Sequence, residues 1–146
     1  MSGPEFLGVA SHLLTRTTEA DWRSALSRAY YAAFHVARLL LEDLGFTIPR
    51  ADQAHAYLWL RLSNCGDPQL QLTGQKLRDL RGERNRADYD LSKPLGRFKA
   101  VSQVRLGEQV IQLLDRGKAD PVRSLIVAAM RHYEQTVLGV VTWRQP

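Results

Sequence analysis

The 146-residue sequence has a single cysteine, Cys65, and this scarcity excludes several classes of protein. A lone cysteine forms no internal disulfide, so the chain is not a small disulfide-stapled secreted domain. The four histidines are scattered, and the sequence has neither a His-Glu-x-x-His motif nor closely paired cysteines. Because zinc sites use such spacings, we expect no metal centre and no cofactor.

Long apolar runs and phosphate-binding glycine loops are also missing. The longest apolar runs, such as Leu39–Leu41 and Leu125–Met130, fall far short of the roughly 20 residues that span a bilayer. No basic-flanked apolar segment near the amino terminus reads as a signal peptide, so we expect a cytoplasmic protein without a membrane partner. The closest glycines, Gly3 and Gly8, are followed by neither Lys-Ser nor Lys-Thr, which excludes a P-loop.

The charge balance favours an anionic partner only modestly. The chain carries 20 Lys and Arg against 15 Asp and Glu, a formal net charge of +5. Basic surfaces attract phosphates, and most of these cations are arginines, whose guanidinium group can bind a phosphate through two parallel hydrogen bonds. The length is that of one domain with its own core.

Hydrophobic spacing of three to four residues predicts helices and no strands. The predicted helices cover about residues 6–14, 19–44, 51–62, 68–91, 95–114 and 119–138. Alanines along the second helix leave room for a neighbouring helix to approach closely. We therefore predict an all-α fold, an antiparallel up-and-down helical bundle of four main helices plus short terminal helices.

The strongest functional signal is an arginine in an apolar row of the fourth predicted helix. Arg84 stands where the helical spacing calls for a leucine. The other members of this row are Leu70, Leu77, Leu80, Ala87 and Leu91. Burying an unpaired charge costs several kcal/mol, so we expect Arg84 either to be paired or to face a cleft.

A purely structural explanation of Arg84 is an ion pair with Asp88, four residues further along the helix. Arg86 and Asp90 repeat this spacing. Exposed pairs of this kind contribute only about 0.3–0.5 kcal/mol, so a charge in an apolar row would also need a buried partner. Asn85, Asp88 and Asp90 would also suit a helix end, since Asn and Asp favour caps and turns.

Two segments of the sequence form distinctive motifs, Ser-Arg-Ala-Tyr-Tyr-Ala-Ala-Phe-His-Val-Ala-Arg at residues 27–38 and the segment around Arg84 at residues 77–90. The first closely resembles the long-helix signature of the HEPN (higher eukaryotes and prokaryotes nucleotide-binding) superfamily. The second resembles the segment that carries the conserved arginine of that superfamily. The resemblance covers about residues 5–115 of a single domain, residues 1–146, in which 119–138 form an additional carboxyl-terminal helix.

The resemblance implies a helical bundle that is commonly a homodimer, with the two arginine motifs meeting in an interface cleft. Many members of the superfamily are metal-independent ribonucleases, often toxins paired with a nucleotidyltransferase antitoxin, and others are non-catalytic binding modules. The resemblance therefore also implies that the ligand is RNA or a nucleotide. The alternative that the residues leave open is a non-catalytic dimerisation or protein-interaction module.

The ribonuclease branch of the superfamily has an arginine, a polar residue directly after it, and a histidine after four to six residues. Arg84 and Asn85 match, but Tyr89 takes the place of the histidine, as in a HEPN branch with Ala-Asp-Tyr at this point. The resemblance implies that Arg84 and Asn85 hold a phosphate. Tyr89 would donate a hydrogen bond or be the hydroxyl that a nucleotidyltransferase modifies.

The second predicted helix carries one polar stripe, formed by Arg28, Tyr31, His35 and Arg38. Metal-free RNA cleavage needs groups that exchange protons near neutral pH, as imidazole does and a phenol, with a pKa of about 10, does not. His35 is thus a candidate for the missing histidine, although histidines on apolar helices are more often core residues. Candidate phosphate ligands are Arg28, Tyr31, Arg38, Arg81 and Arg84, with Asp88 and Asp90 in support.

Overall fold

The computed structural model describes residues 2–146, and the predicted all-α helical bundle is confirmed. The helices are α1 (Gly3–Leu13), α2 (Glu19–Leu44), α3 (Gln53–Ser63), α4 (Pro68–Tyr89), α5 (Arg97–Leu114) and α6 (Val122–Tyr133). A short 3-10 helix, Asp115–Lys118, precedes α6, and a π-helical turn, Glu134–Leu138, follows it. None of these helices combines the length and the apolar character that crossing a membrane requires.

Helix α2 has the predicted bounds, whereas α4 is shorter than predicted. Nothing interrupts the periodicity of α2 before Gly45, whose φ of 109° ends the helix. Helix α4 ends at Tyr89 because the Arg23 guanidinium of α2 donates to the carbonyl oxygens of its last turn, including Ala87 O at 2.8 Å. The placement of Leu91 in the apolar row is wrong, since Leu91 lies beyond the helix and is 72% exposed.

The last helix is also less regular than predicted. Regular α-helix covers only Val122–Tyr133, and the wider π-helical turn changes the direction in which the following side chains point. Ile126 and Met130 are fully buried, but Val137, which a regular helix would place on the same face seven residues after Met130, is 66% exposed. The apolar row of this segment is therefore confined to α6 itself.

The chain forms two compact units. The first combines the residues up to Val36 with Lys76–Ile111, and the second combines Ala37–Gln75 with Gln112–Pro146. In the first unit, small residues let α5 approach α2, because a methyl group on Gly107 would lie 3.2 Å from the Ala29 carbonyl oxygen. That close approach agrees with the alanine-rich face expected for α2.

The core of the second unit is built mainly from aliphatic side chains. Those that are at most 3% exposed are Leu40, Leu41, Leu44, Leu58, Leu62, Leu70, Ile126 and Met130. This unit also buries an ion pair between Arg61 of α3 and Glu134 of the π-helical turn, with 2.7 Å between Arg61 Nη2 and Glu134 Oε2. The segment after the turn is held near Gly45, where Trp143 Nε1 donates to Leu44 O at 2.8 Å.

Candidate functional site

Arg84 lies in the buried row of α4, as predicted, but is not itself fully buried. In the first unit, Leu77, Leu80 and Ala87 of that row are at most 2% exposed. The Arg84 side chain is 13% exposed, so its guanidinium group points neither into the dry core nor into bulk solvent. A charge in this position needs partners, and the surrounding side chains supply them.

Arg84 has three polar partners. Its Nη2 donates to the hydroxyl oxygen of Tyr31 at 2.5 Å, and its Nη1 donates to Asn85 Oδ1 at 2.9 Å. Its Nε lies 3.0 Å from Asp88 Oδ2, close enough for an ion pair, although the N–H is not aligned for a hydrogen bond. The expected pair between Arg84 and Asp88 is therefore present.

The prediction of a second ion pair, between Arg86 and Asp90, is wrong. Arg86 instead lies 2.6 Å from the carboxylate of Glu83, three residues earlier. Asp90 accepts a hydrogen bond from Ser92 at 2.7 Å, which lowers the pKa of its carboxyl group, and lies 3.8 Å from Lys93. The Asp90 backbone N–H still donates to Arg86 O at 2.9 Å, but the Asp90 carboxylate faces Ser92 and Lys93, which follow the helix, and not the Arg86 guanidinium group.

Asp88 joins α4 to α2 through a residue that sequence reasoning missed. The hydroxyl of Ser27 donates to Asp88 Oδ2 at 3.2 Å, the same oxygen that faces Arg84. Ser27 and Tyr31 are four residues apart on α2, as Arg84 and Asp88 are on α4, so two adjacent side chains of each helix face each other. The spacing within either helix did not reveal this contact, because the contact depends on how the two helices face each other. We call Ser27, Tyr31, Arg84, Asn85 and Asp88 the Arg84 cluster.

A second arginine adds positive charge beside this cluster. Burial raises the pKa of Tyr30, which is 1% exposed, while the charges of Arg81 and Arg84 act to lower it. Both guanidinium groups are thus within electrostatic range of the same phenol. Arg81 Nε is buried without a hydrogen-bond acceptor, and no carboxylate among residues 2–146 forms an ion pair with this arginine. Two positively charged guanidinium groups, those of Arg81 and Arg84, are therefore accompanied by the single negative charge of Asp88.

Tyr89 lies at the edge of the cluster. It is the last residue of α4, its side chain is 75% exposed, and its ring centroid is 5.9 Å from Arg84 Cζ. The ring centroid of Tyr31 is 4.9 Å from the same carbon. Arg84 therefore lies beside two tyrosine rings, of which only that of Tyr89 is exposed.

An aromatic side chain of α1 packs against part of the polar stripe expected on α2. The ring of Phe6 stacks on His35 with 5.1 Å between centroids, and the Arg28 guanidinium lies 5.7 Å from the same ring. The centroids of His35 and Tyr31 are 6.2 Å apart. His35 is therefore near the Arg84 cluster but packs as part of an aromatic group, and Phe6 is a neighbour that the sequence did not indicate.

Arg38 and Asp90 are paired with side chains that do not belong to the Arg84 cluster. Arg38 belongs to the second unit, where its Nε lies 2.9 Å from the Glu42 carboxylate. Asp90 lines a shallow pocket of about 180 Å³ in the first unit, together with Arg23 and Lys93. The other candidates, Tyr31, Arg81, Arg84, Asn85, Asp88 and Tyr89, come together at the facing turns of α2 and α4.

The arrangement presents hydrogen-bond donors. Because Tyr31 accepts a hydrogen bond from Arg84, its own hydroxyl proton is available for another partner. Asn85 likewise accepts through Oδ1, which leaves both amide protons available. Unused donors and positive charge favour an anion with several oxygen atoms, such as a phosphate. Among residues 2–146, no three His, Cys, Asp or Glu side chains cluster as metal ligands would.

Comparison with known proteins gives one match. A family model described as the HEPN domain matches residues 3–117, a range that includes α1 to α5 and the whole Arg84 cluster. A search of curated proteins and a search of solved structures each found no match. The matched range agrees with the resemblance noted for residues 5–115 and leaves α6 outside the family model.

Proposed function

Because this chain belongs to the HEPN domain family, we propose that it binds the phosphate groups of RNA or of a nucleotide at the Arg84 cluster. The observation that carries the proposal is the imbalance of charge there. Arg81 and Arg84 are cations three residues apart on α4, so they share one side of the helix, while Asp88 is the carboxylate paired with Arg84. A phosphate would compensate the remaining positive charge and accept the free donors of Tyr31 and Asn85.

Asp88 and Ser27 act in this proposal as positioning residues. The ion pair with Asp88 fixes the guanidinium group, and the hydroxyl of Ser27 fixes the carboxylate. A guanidinium group held in place loses less side-chain entropy when it binds a ligand than a mobile one does. Asp88 is 27% exposed and Arg84 13%, so solvent and a ligand can reach the pair from its open side.

We extend the proposal to assembly and partners from the family alone. The chain would form a homodimer in which two Arg84 clusters meet in an interface cleft, and its partner would be an antitoxin of the nucleotidyltransferase type. The chain itself would be a metal-independent toxin ribonuclease, or a relative of such an enzyme that no longer cleaves RNA. Tyr89 supplies a hydroxyl but no imidazole, and His35 packs on Phe6, so the side chains favour binding over cleavage.

The test is the affinity of the purified protein for a short, fluorescently labelled single-stranded RNA, measured by anisotropy at low salt and again at moderate salt. Arg84→Met should weaken binding about tenfold or more, because it removes charge-assisted hydrogen bonds to phosphate. Arg105→Met is the matched control, since it removes the same charge from an exposed position on α5 and should change affinity less than about twofold.

The same samples decide the question of cleavage. After incubation with chelator, a denaturing gel would reveal cleavage of the RNA that needs no metal ion. Loss of cleavage in both Arg84→Met and Tyr89→Phe, but not in Arg105→Met, would support a ribonuclease. Wild-type protein that neither binds nor cleaves the RNA at low salt would contradict the proposed function.

A second candidate function is a non-catalytic interaction module, and one specific observation favours it. The ion pair between Arg84 and Asp88, with the hydrogen bonds to Ser27 and Tyr31, links α2 to α4 and would serve as a structural brace. In that case Arg84→Met should lower the melting temperature and change the oligomeric state. If the cluster is a ligand site, the same variant should lose RNA affinity with only a small loss of stability, because Asp88 is 27% exposed and stays in contact with solvent.

A further inference from the structure

Two Phe, Tyr or Trp rings are exposed among residues 2–146, and both flank the connection from α4 to α5. Tyr89 is 75% exposed and Phe98 is 88% exposed, whereas the other Phe, Tyr and Trp side chains of the described residues are buried or partly buried. Leu91, between them, is 72% exposed. Lys99 Nζ lies 3.4 Å from Glu83 Oε1, so the first turn of α5 contacts α4 six residues before the end of that helix.

Of these exposed rings, Tyr89 is the one in contact with the Arg84 cluster. Its ring centroid is 5.9 Å from Arg84 Cζ, so an aromatic face and a phosphate-binding cation stand next to each other. A nucleotide carries the complementary pair of groups, a flat base and a phosphate joined through one sugar. Aromatic side chains commonly hold unpaired bases by stacking beside a cationic groove.

Tyr31, the other tyrosine near Arg84, is not available for stacking. Its hydroxyl oxygen accepts a hydrogen bond from Arg84, and its ring packs against Phe6 and His35 at centroid distances of 6.4 and 6.2 Å. The exposed ring of Tyr89 can accept a base without displacing a neighbouring ring. The bases of a duplex are already stacked on one another, so such a ring selects for single strands.

We propose that Tyr89 is a stacking platform for an unpaired nucleobase whose phosphate binds at Arg84 and Asn85. The ligand is then single-stranded RNA or a nucleotide, rather than duplex RNA or another polyanion. This inference rests on the proposed function, because it takes the Arg84 cluster as the phosphate site. It gives Tyr89 a role that depends on its ring and not on its hydroxyl.

The experiment compares three labelled probes by anisotropy: a short single-stranded RNA, a duplex of the same sequence, and an abasic oligonucleotide of the same length. Tyr89→Ala should weaken binding of the single strand at least about fivefold, as loss of one stacked base does. Tyr89→Phe should stay within about twofold of the wild type. Leu91→Ala, at an equally exposed apolar position, is the matched control and should have no effect.

The abasic probe separates stacking from phosphate binding. Tyr89→Ala should leave its affinity unchanged, whereas Arg84→Met should weaken both probes. If Arg84→Met weakens both but Tyr89→Ala weakens neither, the stacking role is wrong and the phosphate site stands. If Arg84→Met weakens neither probe, the proposed function is wrong, and with it the inference drawn from it.

Two other outcomes also overturn the stacking role. Equal losses in Tyr89→Phe and Tyr89→Ala would assign the effect to the hydroxyl group, as a hydrogen-bond donor or as a site of modification. If Tyr89→Ala dissociates a dimer in light scattering while RNA affinity is unchanged, the exposed ring packs against a second copy of the chain. Circular dichroism of each variant would verify that the exposed substitution leaves the helices intact.

Discussion

Each unit of the molecule contains an arginine paired with a carboxylate, and the two pairs differ in how completely they are enclosed. In the second unit, the side chains of Arg61 and Glu134 are 4% and 1% exposed. In the first unit, those of Arg84 and Asp88 are 13% and 27% exposed. The comparison separates a pair that is sealed by its surroundings from one that a ligand can reach.

The sealed pair has few groups left to offer a ligand. Arg61 Nε donates to Glu134 Oε2 at 2.8 Å, and the other carboxylate oxygen accepts from the Thr142 backbone N–H at 3.0 Å. The guanidinium carbon lies 3.3 Å from the centroid of the Tyr57 ring, and burial raises the pKa of that tyrosine. Each charge of the pair is compensated within the unit, as a structural ion pair requires.

The open pair instead leaves donors and charge uncompensated. Tyr31 and Asn85 accept hydrogen bonds from Arg84 and keep their own donors, while the Nε of Arg81 is buried without an acceptor. The lesson is that pairing alone does not distinguish a brace from a binding site. The balance of charge and the number of unused donors around the pair do so.

The largest effect is expected from breaking the sealed pair. Arg61→Met leaves Glu134 buried without its cation, which typically costs about 3–5 kcal/mol, so the free energy of unfolding should fall by most of this amount. Urea unfolding followed by circular dichroism measures it. Arg123→Met is the control, because the pair of Arg123 with Asp43 is more exposed and should contribute at most about 1 kcal/mol. Equal effects of the two substitutions would contradict the distinction.

A pair of intermediate exposure should give an intermediate effect with a defined pH dependence. Hydrogen bonds from Arg116, and from the Leu70 backbone N–H, lower the pKa of Asp67 from its ordinary value of 3.8. A lowered folded-state pKa stabilises the fold above pH 3.8, and this contribution is lost as the pH falls further. Asp67→Asn should therefore cost about 1–2 kcal/mol at pH 7, because Arg116 is partly exposed.

The measurement for Asp67 is a series of urea unfolding curves between neutral and acidic pH. The difference between wild type and Asp67→Asn should be constant at neutral pH and should shrink as the pH falls below 3.8. A difference that grows toward acidic pH would mean that the carboxylate destabilises the fold. Asp115→Asn, at an exposed site paired only with Lys118, should show little of this dependence.

The parts of the fold that depend on local chemistry could be predicted from the sequence. Helix α2 has uninterrupted periodicity and a glycine directly after it, so both ends were recognisable. The end of α4 was not recognisable in the sequence, because Arg23, more than sixty residues earlier, donates to the last carbonyl groups of this helix. A boundary set by a distant side chain leaves no signal in the local sequence.

The same distinction applies to the candidate site. Arg84 was recognisable as a charge in an apolar row, and its pairing with Asp88 follows from helical spacing. The contacts with Tyr31 and Ser27 depend on how α2 and α4 face each other, so spacing within one helix did not reveal them. The sealed pair of Arg61 and Glu134 had no sequence signal at all, since its two residues are 73 positions apart.

The smallest effect, and the sharpest test of the open pair, is expected at Ser27. Ser27→Ala removes the 3.2 Å hydrogen bond to Asp88, which should cost no more than about 1 kcal/mol of stability. If Asp88 positions Arg84 for a phosphate, RNA affinity should also fall about two- to fivefold, since the guanidinium group is held less firmly. Urea unfolding and anisotropy on the same preparation measure both quantities.

Ser24→Ala is the matched control for Ser27, because Ser24 is an exposed serine of the same helix and its loss should change neither stability nor affinity. A fall in affinity with nearly unchanged stability would separate the Arg84 cluster from the sealed pair, whose loss acts on folding. A loss of stability in Ser27→Ala with unchanged RNA affinity would instead make the cluster a brace between α2 and α4. The two arginine pairs would then differ in exposure but not in kind.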